Sequence, residues 1–567
     1  MNQTVALLFE QAYQLQQNGH FSQAIGIYDQ LLKLSPQHVD ALHFSGLAHA
    51  QLGDMASAID RFCQALILQP HDASLHNNLG NAYKKLGQLD KAIYHYQQAI
   101  ALNPDYAQAH NNLATVFAMQ DKEQRALQHY HLAVQAQPDF TPAHHNLGLL
   151  FLKTNQLTAA QTQFNNVLAL HPSHVEAQFY TGVLHLEANA LDEAEQAFQA
   201  VLAIKGEHVE SLTNLGVIAL KRDQGQLAVD YFAKALALDN QHVDARNNLA
   251  ATFIHHDRFE NALMHYDVLL QKEPNNIEYL YNAGVAQMAL GHLQEATLHF
   301  ETILTIQPNH FAALSNLAAI YIRLEQREEA IGFLNRALSA KPKDPATQFM
   351  LHALTGSDKN PDACVDYVSN LFNNYALYYD KHMTGTLDYT LPQHIGRVLH
   401  QLHCMKVKRV IDLGCGTGLT GIVLRELTDH LTGVDIAGKM LAQAQEKGIY
   451  DELAEAELIN FLQQDKHHYD LAVAADVLPY LGELDPLFES ISQRLNKQGL
   501  FLFTCEVGSD KPWQLQGSAR FSHHPDYIQE SCERHGLKLI YQEKIAARQQ
   551  HNQTLEAMLY CAQLHTL

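Results

Sequence analysis

Alanine recurs at positions 24, 58, 92, 126, 160, 194, 228, 262, 296 and 330, always 34 residues apart. A small residue lies twelve earlier each time (Ala12, Gly46, Gly80, Ala114, Gly148, Gly182, Gly216, Ala250, Gly284, Ala318). A large side chain lies four later (Tyr28, Phe62, Tyr96, Tyr130, Phe164, Phe198, Phe232, Tyr266, Phe300, Leu334). Proline usually falls twelve later, at 36, 70, 104, 138, 172, 274, 308 and 342, and Gly206 and Asn240 take its place in two units. Residues four apart share one helical face, a small residue lets two helices cross closely, and Pro ends the second helix. Such a unit cannot bury its own apolar face and must stack on its neighbour. At 567 residues the chain exceeds one hydrophobic core, and a stacked array grows without needing one.

These columns resemble tetratricopeptide repeats, ten of them, over residues 5 to about 344. Asn78, Asn112, Asn146, Asn214, Asn248, Asn282 and Asn316 stand two before the small residue. The resemblance puts that position on the concave face, and the column is similar to the asparagine-lined array of the O-GlcNAc transferase family. Asn carries a donor and an acceptor, so a ladder of them can hold an extended peptide backbone. The other reading is that each Asn caps or bridges adjacent repeats. The expected partner is a protein or peptide of unspecified sequence.

Composition removes other classes. The formal charge of -22 opposes a nucleic-acid partner, since such affinity rests on Lys and Arg displacing counterions. Seven cysteines, at 63, 364, 404, 415, 505, 532 and 561, never fall in C-x-x-C spacing, so neither a disulfide framework nor a zinc site is expected. The 36 histidines follow exposed faces and repeat junctions, and no metal is expected. The first residues lack a signal-peptide pattern, and no apolar run reaches membrane-spanning length. A cytoplasmic location without membrane insertion is the expectation.

Residues 346–356 read as a short amphipathic helix capping the array, followed by a polar hinge around Pro361. The expected domains are therefore 1–344, repeats; 345–365, cap and hinge; and 366–567, an α/β domain with leading helices. Phe372, Tyr375, Tyr378 and Tyr379 crowd one helix, as core or as a lid over a ligand. From Lys406 onward, short apolar runs alternate with amphipathic segments, which predicts a doubly wound parallel sheet. Seven strands are expected, the third at 456–458. The last two, at 537–544 and 554–562, should form an antiparallel hairpin.

The run Val410 to Gly418, V-I-D-L-G-C-G-T-G, is a strand closing on a glycine loop. A dehydrogenase also places such a loop after its first strand. Asp412 argues against a pyrophosphate, because two negative groups repel, and suits an amino acid ammonium. Asp435 ends the second strand, where a carboxylate can accept ribose hydroxyls. Glu457 can accept from an adenine amine.

Together these features resemble class I S-adenosylmethionine (SAM) methyltransferases. L-F-N-N-Y-A-L-Y-Y-D-K-H-M, D-L-G-C-G-T-G-L-T-G, G-V-D-I-A-G-K-M-L, Y-D-L-A-V-A-A-D-V-L-P-Y-L-G-E-L and R-F-S-H-H-P-D-Y-I look like the bacterial methyltransferase family fused to tetratricopeptide repeats. Asn373 and Glu457 depart from that family's usual acidic residue and Asp. The resemblance implies a Rossmann-like methyltransferase domain that binds SAM through Tyr375, Tyr379, Tyr389, Asp412, Gly414, Cys415, Gly416, Gly418, Asp435, Ile436, Met440, Glu457, Leu458 and Asp476. Asp476, Tyr480, Arg520, His523 and Tyr527 follow strand ends near where a methyl acceptor enters. His523, Tyr480 and Asp476 are the catalytic candidates, His523 as base if one is needed, its other reading being a structural histidine. V-L-P-Y, at 477–480, lacks the Asn-Pro that polarises an amine in nucleobase methyltransferases. The expected function is a SAM-dependent methyltransferase whose repeats recruit a protein or peptide. The alternatives are a repeat scaffold with a weakly active or regulatory methyltransferase fold, and a small-molecule methyltransferase using the repeats for assembly.

Overall fold

The computed structural model describes residues 2–356, 364–387, 389–404, 406–508, 511–550 and 553–565. The hinge expected around Pro361 lies outside the described residues. The chain forms two compact units, Met1–His265 and Tyr266–Leu567.

The first unit is all helical, and its geometry explains the alanine period. A Cβ placed on Gly46 would stand 2.6 Å from the Phe62 ring; on Gly80, 2.5 Å from Tyr96; on Gly216, 2.5 Å from Phe232. Where the small column of a first helix is Gly, it is thus the seat of the aromatic on the second helix. Phe62, Tyr96, Phe164, Phe198 and Phe232 are wholly buried there. The helices Leu191–Lys205 and Gly225–Leu238 end at Gly206 and Asp239 without proline. Gly206 does so at a φ of 76°.

Two further columns share the period. The turn inside each unit holds a left-handed residue at 19, 53, 87, 121, 155, 189, 223, 257, 291 and 325. Gly, Asn and Asp supply nine of these, as that backbone region favours, and Glu325 the tenth. The residue before the first helix of the second to tenth repeats, and before the cap helix, recurs at 38, 72, 106, 140, 174, 208, 242, 276, 310 and 344. Eight of the ten cap that helix through a side-chain acceptor, and five of those are histidines: His38, His174, His208, His242 and His310. Their Nδ1 atoms satisfy amides that a helix start leaves open.

The second unit holds the last two repeats, the predicted cap helix (Pro345–Thr355) and an α/β region. Arg327 donates through Nε to the Leu354 carbonyl at 2.7 Å, closing the cap onto the last repeat. The other face of the cap packs Phe349 and Ala353 against Leu515, Ala519 and Phe521.

The sheet comprises β1 (Val407–Leu413), β2 (Thr428–Asp435), β3 (Glu452–Glu455), β4 (Tyr469–Ala474), β5 (Leu495–Val507), β6 (Trp513–Leu515), β7 (Phe521–His523), β8 (Leu537–Gln550) and β9 (Gln553–Leu564). β3-β2-β1-β4-β5 run parallel. β9 pairs antiparallel with β5, and β8 with β9. The sequence leads one to expect seven strands, with two corrections: the sheet has nine, and the third strand ends at Glu455, before 456–458. The other two form a ribbon, in which β7 pairs with the end of β5 at Glu506 and Val507 and β6 pairs with β7.

Candidate functional site

β1 carries Ile411 and Leu413 into the core and then turns sharply. Gly414, Gly416 and Gly418 all have positive φ. A Cβ on Gly414 would meet Val477 at 2.4 Å, whereas one on Gly416 would meet nothing within 4 Å. The loop therefore presents open backbone to the space above the sheet. Asp435, at the end of β2, pins it: Oδ2 accepts from the Gly416 amide at 2.8 Å and Oδ1 from Ala437 at 2.9 Å. Burial raises the Asp435 pKa, and these amides oppose the rise.

A cavity opens at this end of the sheet. Ten of the expected residues line it: Tyr379, Gly414, Gly416, Asp435, Ile436, Met440, Glu457, Leu458, Asp476 and Tyr480. Val365, Val368, Phe372, Ala475, Val477 and Leu481 complete the wall. The helix Val365–Lys381 lies over the loops. Its Asn373 accepts from the Lys439 amide at 2.9 Å, and its Asp380 takes Lys447 at 2.6 Å and also the Thr417 hydroxyl.

Six expected residues stand elsewhere. Tyr375 hydrogen-bonds His382, and Tyr389 is buried with Met383, Leu391 and Ile395. Cys415 and Gly418 belong to the loop without lining the cavity. Asp412 is fully buried beneath it and accepts from the Tyr450 hydroxyl at 2.7 Å. His523 corrects a catalytic expectation. It has no exposed surface, its Nε2 lies 3.0 Å from the Gly482 carbonyl, and burial lowers its pKa to about 4. A ring so enclosed has no route to a substrate. Glu457 is also more committed than expected, because its two oxygens cap the helix Leu458–Gln464 by accepting from Ile459 and Asn460.

Asp476 holds the left-handed region at φ 57°. Its amide donates to Thr504 Oγ1 at 2.8 Å. Strain of this kind persists where the surroundings impose it and gathers at functional sites. Arg520, 7% exposed, donates to Asp476, to Glu506 Oε1 at 2.7 Å and to the Tyr480 hydroxyl at 2.7 Å. Two carboxylates hold its pKa well above the usual arginine value. The cluster fixes Asp476 and Tyr480 at the cavity edge.

A methyltransferase-domain family model matches residues 411–501. Tetratricopeptide-repeat models match 9–73, 145–208, 213–277 and 287–355, with shorter matches at 64–94 and 80–121. The chain joins tetratricopeptide repeats to a methyltransferase domain. A Geobacillus sp. (strain WCH70) protein that bears a methyltransferase name is 31% identical over 142 residues, 23% of this chain and 56% of that protein. YqeM of Bacillus subtilis (strain 168), likewise so named, is 33% identical over 106 residues, 17% of this chain and 41% of its own. The chain thus spans about half the length of these relatives or less. Among solved structures, YrrB, described as a tetratricopeptide-repeat protein with an unusual peptide-binding site, is 23% identical. It aligns over 32% of this chain and 95% of its own with a TM-score of 0.30.

In the repeats, the seven expected asparagines are half-buried. Asn112 donates to Asn77 at 3.0 Å, Asn146 to Asn111 at 2.9 Å, and Asn78 pairs with His43 at 2.8 Å. Each of these reaches the first helix of the preceding repeat. Asn282 donates to Tyr266 and Asn316 to Tyr281. The column breaks at Tyr180, and beyond it Asn214 turns to its own helix, donating to the Glu210 carbonyl. Among the described residues no cluster of His, Cys, Asp or Glu could hold a metal, and no helix is long and apolar enough to cross a membrane.

Proposed function

We propose that this chain is a class I SAM-dependent methyltransferase whose repeats deliver a protein or peptide to the methyltransferase domain. The observation that carries the reading is Asp435. It is a carboxylate at the end of the second parallel strand, tied to the glycine loop and lining the cavity above it. Such a carboxylate suits a ribose diol. Glu457 and Leu458 stand where an adenine edge would find an acceptor and a backbone donor, and Met440 and Ile436 supply apolar walls.

Bound SAM would supply a methyl group on a sulfonium, a carbon already activated for displacement. Methyl transfer then needs positioning and exclusion of water more than acid–base chemistry. Phe372, Tyr379, Val365 and Val368 from the overlying helix exclude water. Arg520 holds the Asp476 carboxylate and the Tyr480 hydroxyl in fixed directions, so the acceptor meets a preset hydrogen-bonding edge. Asp476 can take a proton from an acceptor that carries one, in place of the enclosed His523.

For the repeats, the half-buried Asn column supports a peptide-backbone reading. Each inter-repeat bond uses one amide donor, and an Asn side chain has two donors and an acceptor. The same bonds also serve as register pins between repeats. We take 1–344, 345–365 and 366–567 as working boundaries. The seven unpaired cysteines suit a reducing cytoplasm.

Calorimetric titration with SAM tests the enzyme reading, and absence of binding at high micromolar concentration defeats it in favour of a scaffold. Transfer of labelled methyl from SAM into lysate, split into protein and metabolite fractions, tests the acceptor class. Label confined to metabolites refutes delivery of a peptide.

A further inference from the structure

Tyr450 precedes β3 and belongs to none of the motifs that mark the site. Its hydroxyl donates to Asp412 Oδ2 at 2.7 Å, while Asp412 Oδ1 is buried without a partner. Its ring occupies space that three glycines leave open. A Cβ on Gly418 would stand 3.0 Å from the ring, one on Gly433 2.8 Å from it, and one on Gly421 2.1 Å from the hydroxyl. These glycines come from the ligand loop, from β2 and from the helix Leu419–Arg425. A single ring therefore sets the spacing of loop, strand and helix, and its hydroxyl reaches the buried carboxylate of β1.

We propose that Tyr450 is a positioning residue of the ligand loop, holding Asp412 by one oxygen and fixing the loop's seat on β1 and β2 through its ring. The proposal builds on the SAM-binding reading of that loop, but the pair can be examined without ligand. A buried carboxylate with one donor and one orphan oxygen is costly to ionise. Asp412 is held up at about 7, by burial first, with the Tyr450 bond opposing the rise and the Asp435 charge adding to it. The Cys415 thiol faces the same carboxylate and is itself pushed up by burial and by both aspartates. A carboxyl whose folded pKa is raised contributes stability that is full below its unfolded pKa. That contribution is lost as pH rises toward the folded value. Removing the hydroxyl raises the folded value and carries the loss to higher pH.

The experiment compares thermal midpoints of the full chain from pH 4 to 9 for wild type, Tyr450→Phe, Asp412→Asn and Gly421→Ala, with SAM titrations across the same range. Phe keeps the ring, so the glycine slot stays filled. Measured against Asp412→Asn, wild type is expected to stop losing stability near pH 7, and Tyr450→Phe to go on losing it above that. Gly421→Ala, which displaces the hydroxyl, is expected to follow Tyr450→Phe. SAM affinity in Tyr450→Phe is expected to fall about tenfold at pH 7, the scale of one hydrogen bond to a charged group, and to recover toward pH 9. If Tyr450→Phe lowers the midpoint equally at every pH and leaves SAM affinity at the wild-type value, Tyr450 only packs and the proposal fails. If the pH shift appears but no protein binds SAM, the Tyr450–Asp412 linkage stands and the methyltransferase reading falls.

Discussion

Both the repeats and the methyltransferase domain put non-glycine residues into the left-handed backbone region, but they do so differently. In the repeats, Asp121, Asn155, Asn189, Asp223, Asp257 and Glu325 occupy one structural place, the turn within the unit. In the methyltransferase domain the left-handed residues share no common place, and Asp476 lies on the cavity wall beside a buried Arg520. Repetition solves one backbone problem and copies the solution. The cavity concentrates unrepeated costs, including the orphan oxygen of Asp412, where a ligand can repay them. Stability should therefore respond to substitutions at the repeat columns, and ligand affinity to substitutions around the loop.

The sharpest division is expected at Asp435. Asp435→Ala removes the acceptor of two amides and the ribose carboxylate together. Two charge-assisted hydrogen bonds correspond to about a 100-fold loss of SAM affinity, measured by calorimetry. A loss below about threefold would break the assignment of the loop. The counterpart in the repeats is Phe232→Ala, which empties the seat over Gly216. It is expected to cost about 3–5 kcal/mol in a denaturant titration while SAM affinity stays at the wild-type value.

This contrast also separates what was legible in the sequence from what was not. The alanine, small-residue and aromatic columns were legible because each is one residue class at one spacing. The left-handed turn column was hidden because Gly, Asn, Asp and Glu share it. The capping column was hidden for a similar reason, since His, Asp and Asn share it, and its histidines showed only as residues at repeat junctions. At the site, Asp435 and the glycine loop were readable because strand ends place them. At His523 the base and structural readings stay open in the sequence, since a titratable side chain says nothing of its own exposure, which β7 and the Gly482 carbonyl decide. Tyr450 left no trace because its partner is 38 residues away and the pairing exists only in the folded sheet. The β6–β7 ribbon was missed because strands of three residues are too short to show a period.

A smaller effect tests the histidines. Burial lowers the pKa of His95 and His129 to about 4 and depresses His208 as well. His95 faces His76 at 3.1 Å and His129 faces His110 at 3.0 Å. For a base with a depressed folded pKa, the unfolded chain takes up protons first as pH falls. Stability is then full above about 6.5, the ordinary histidine value, and is lost between there and about 4. Urea midpoints of the full chain across pH 8 to 4 should decline over that window. Replacing His95 and His129 by Gln should flatten the decline, and an unchanged slope would remove these pairs from the account.

The smallest expected effect isolates the shared turn. Glu325, exposed at φ 60°, pays for a left-handed conformation that glycine adopts freely at Gly291, one repeat earlier. Glu325→Gly should stabilise the chain by about 1 kcal/mol, the penalty for a Cβ in that region less the entropy glycine adds to the unfolded state. Gly291→Glu should destabilise it by a similar amount, because the two sites are copies of one turn. Paired denaturant titrations decide the matter. Opposite and nearly equal shifts mean that the repeats are energetically as well as geometrically periodic at this position. Shifts of the same sign mean that each turn is set by its own neighbours, and the contrast between a copied solution and a singular one would then hold only for the buried columns.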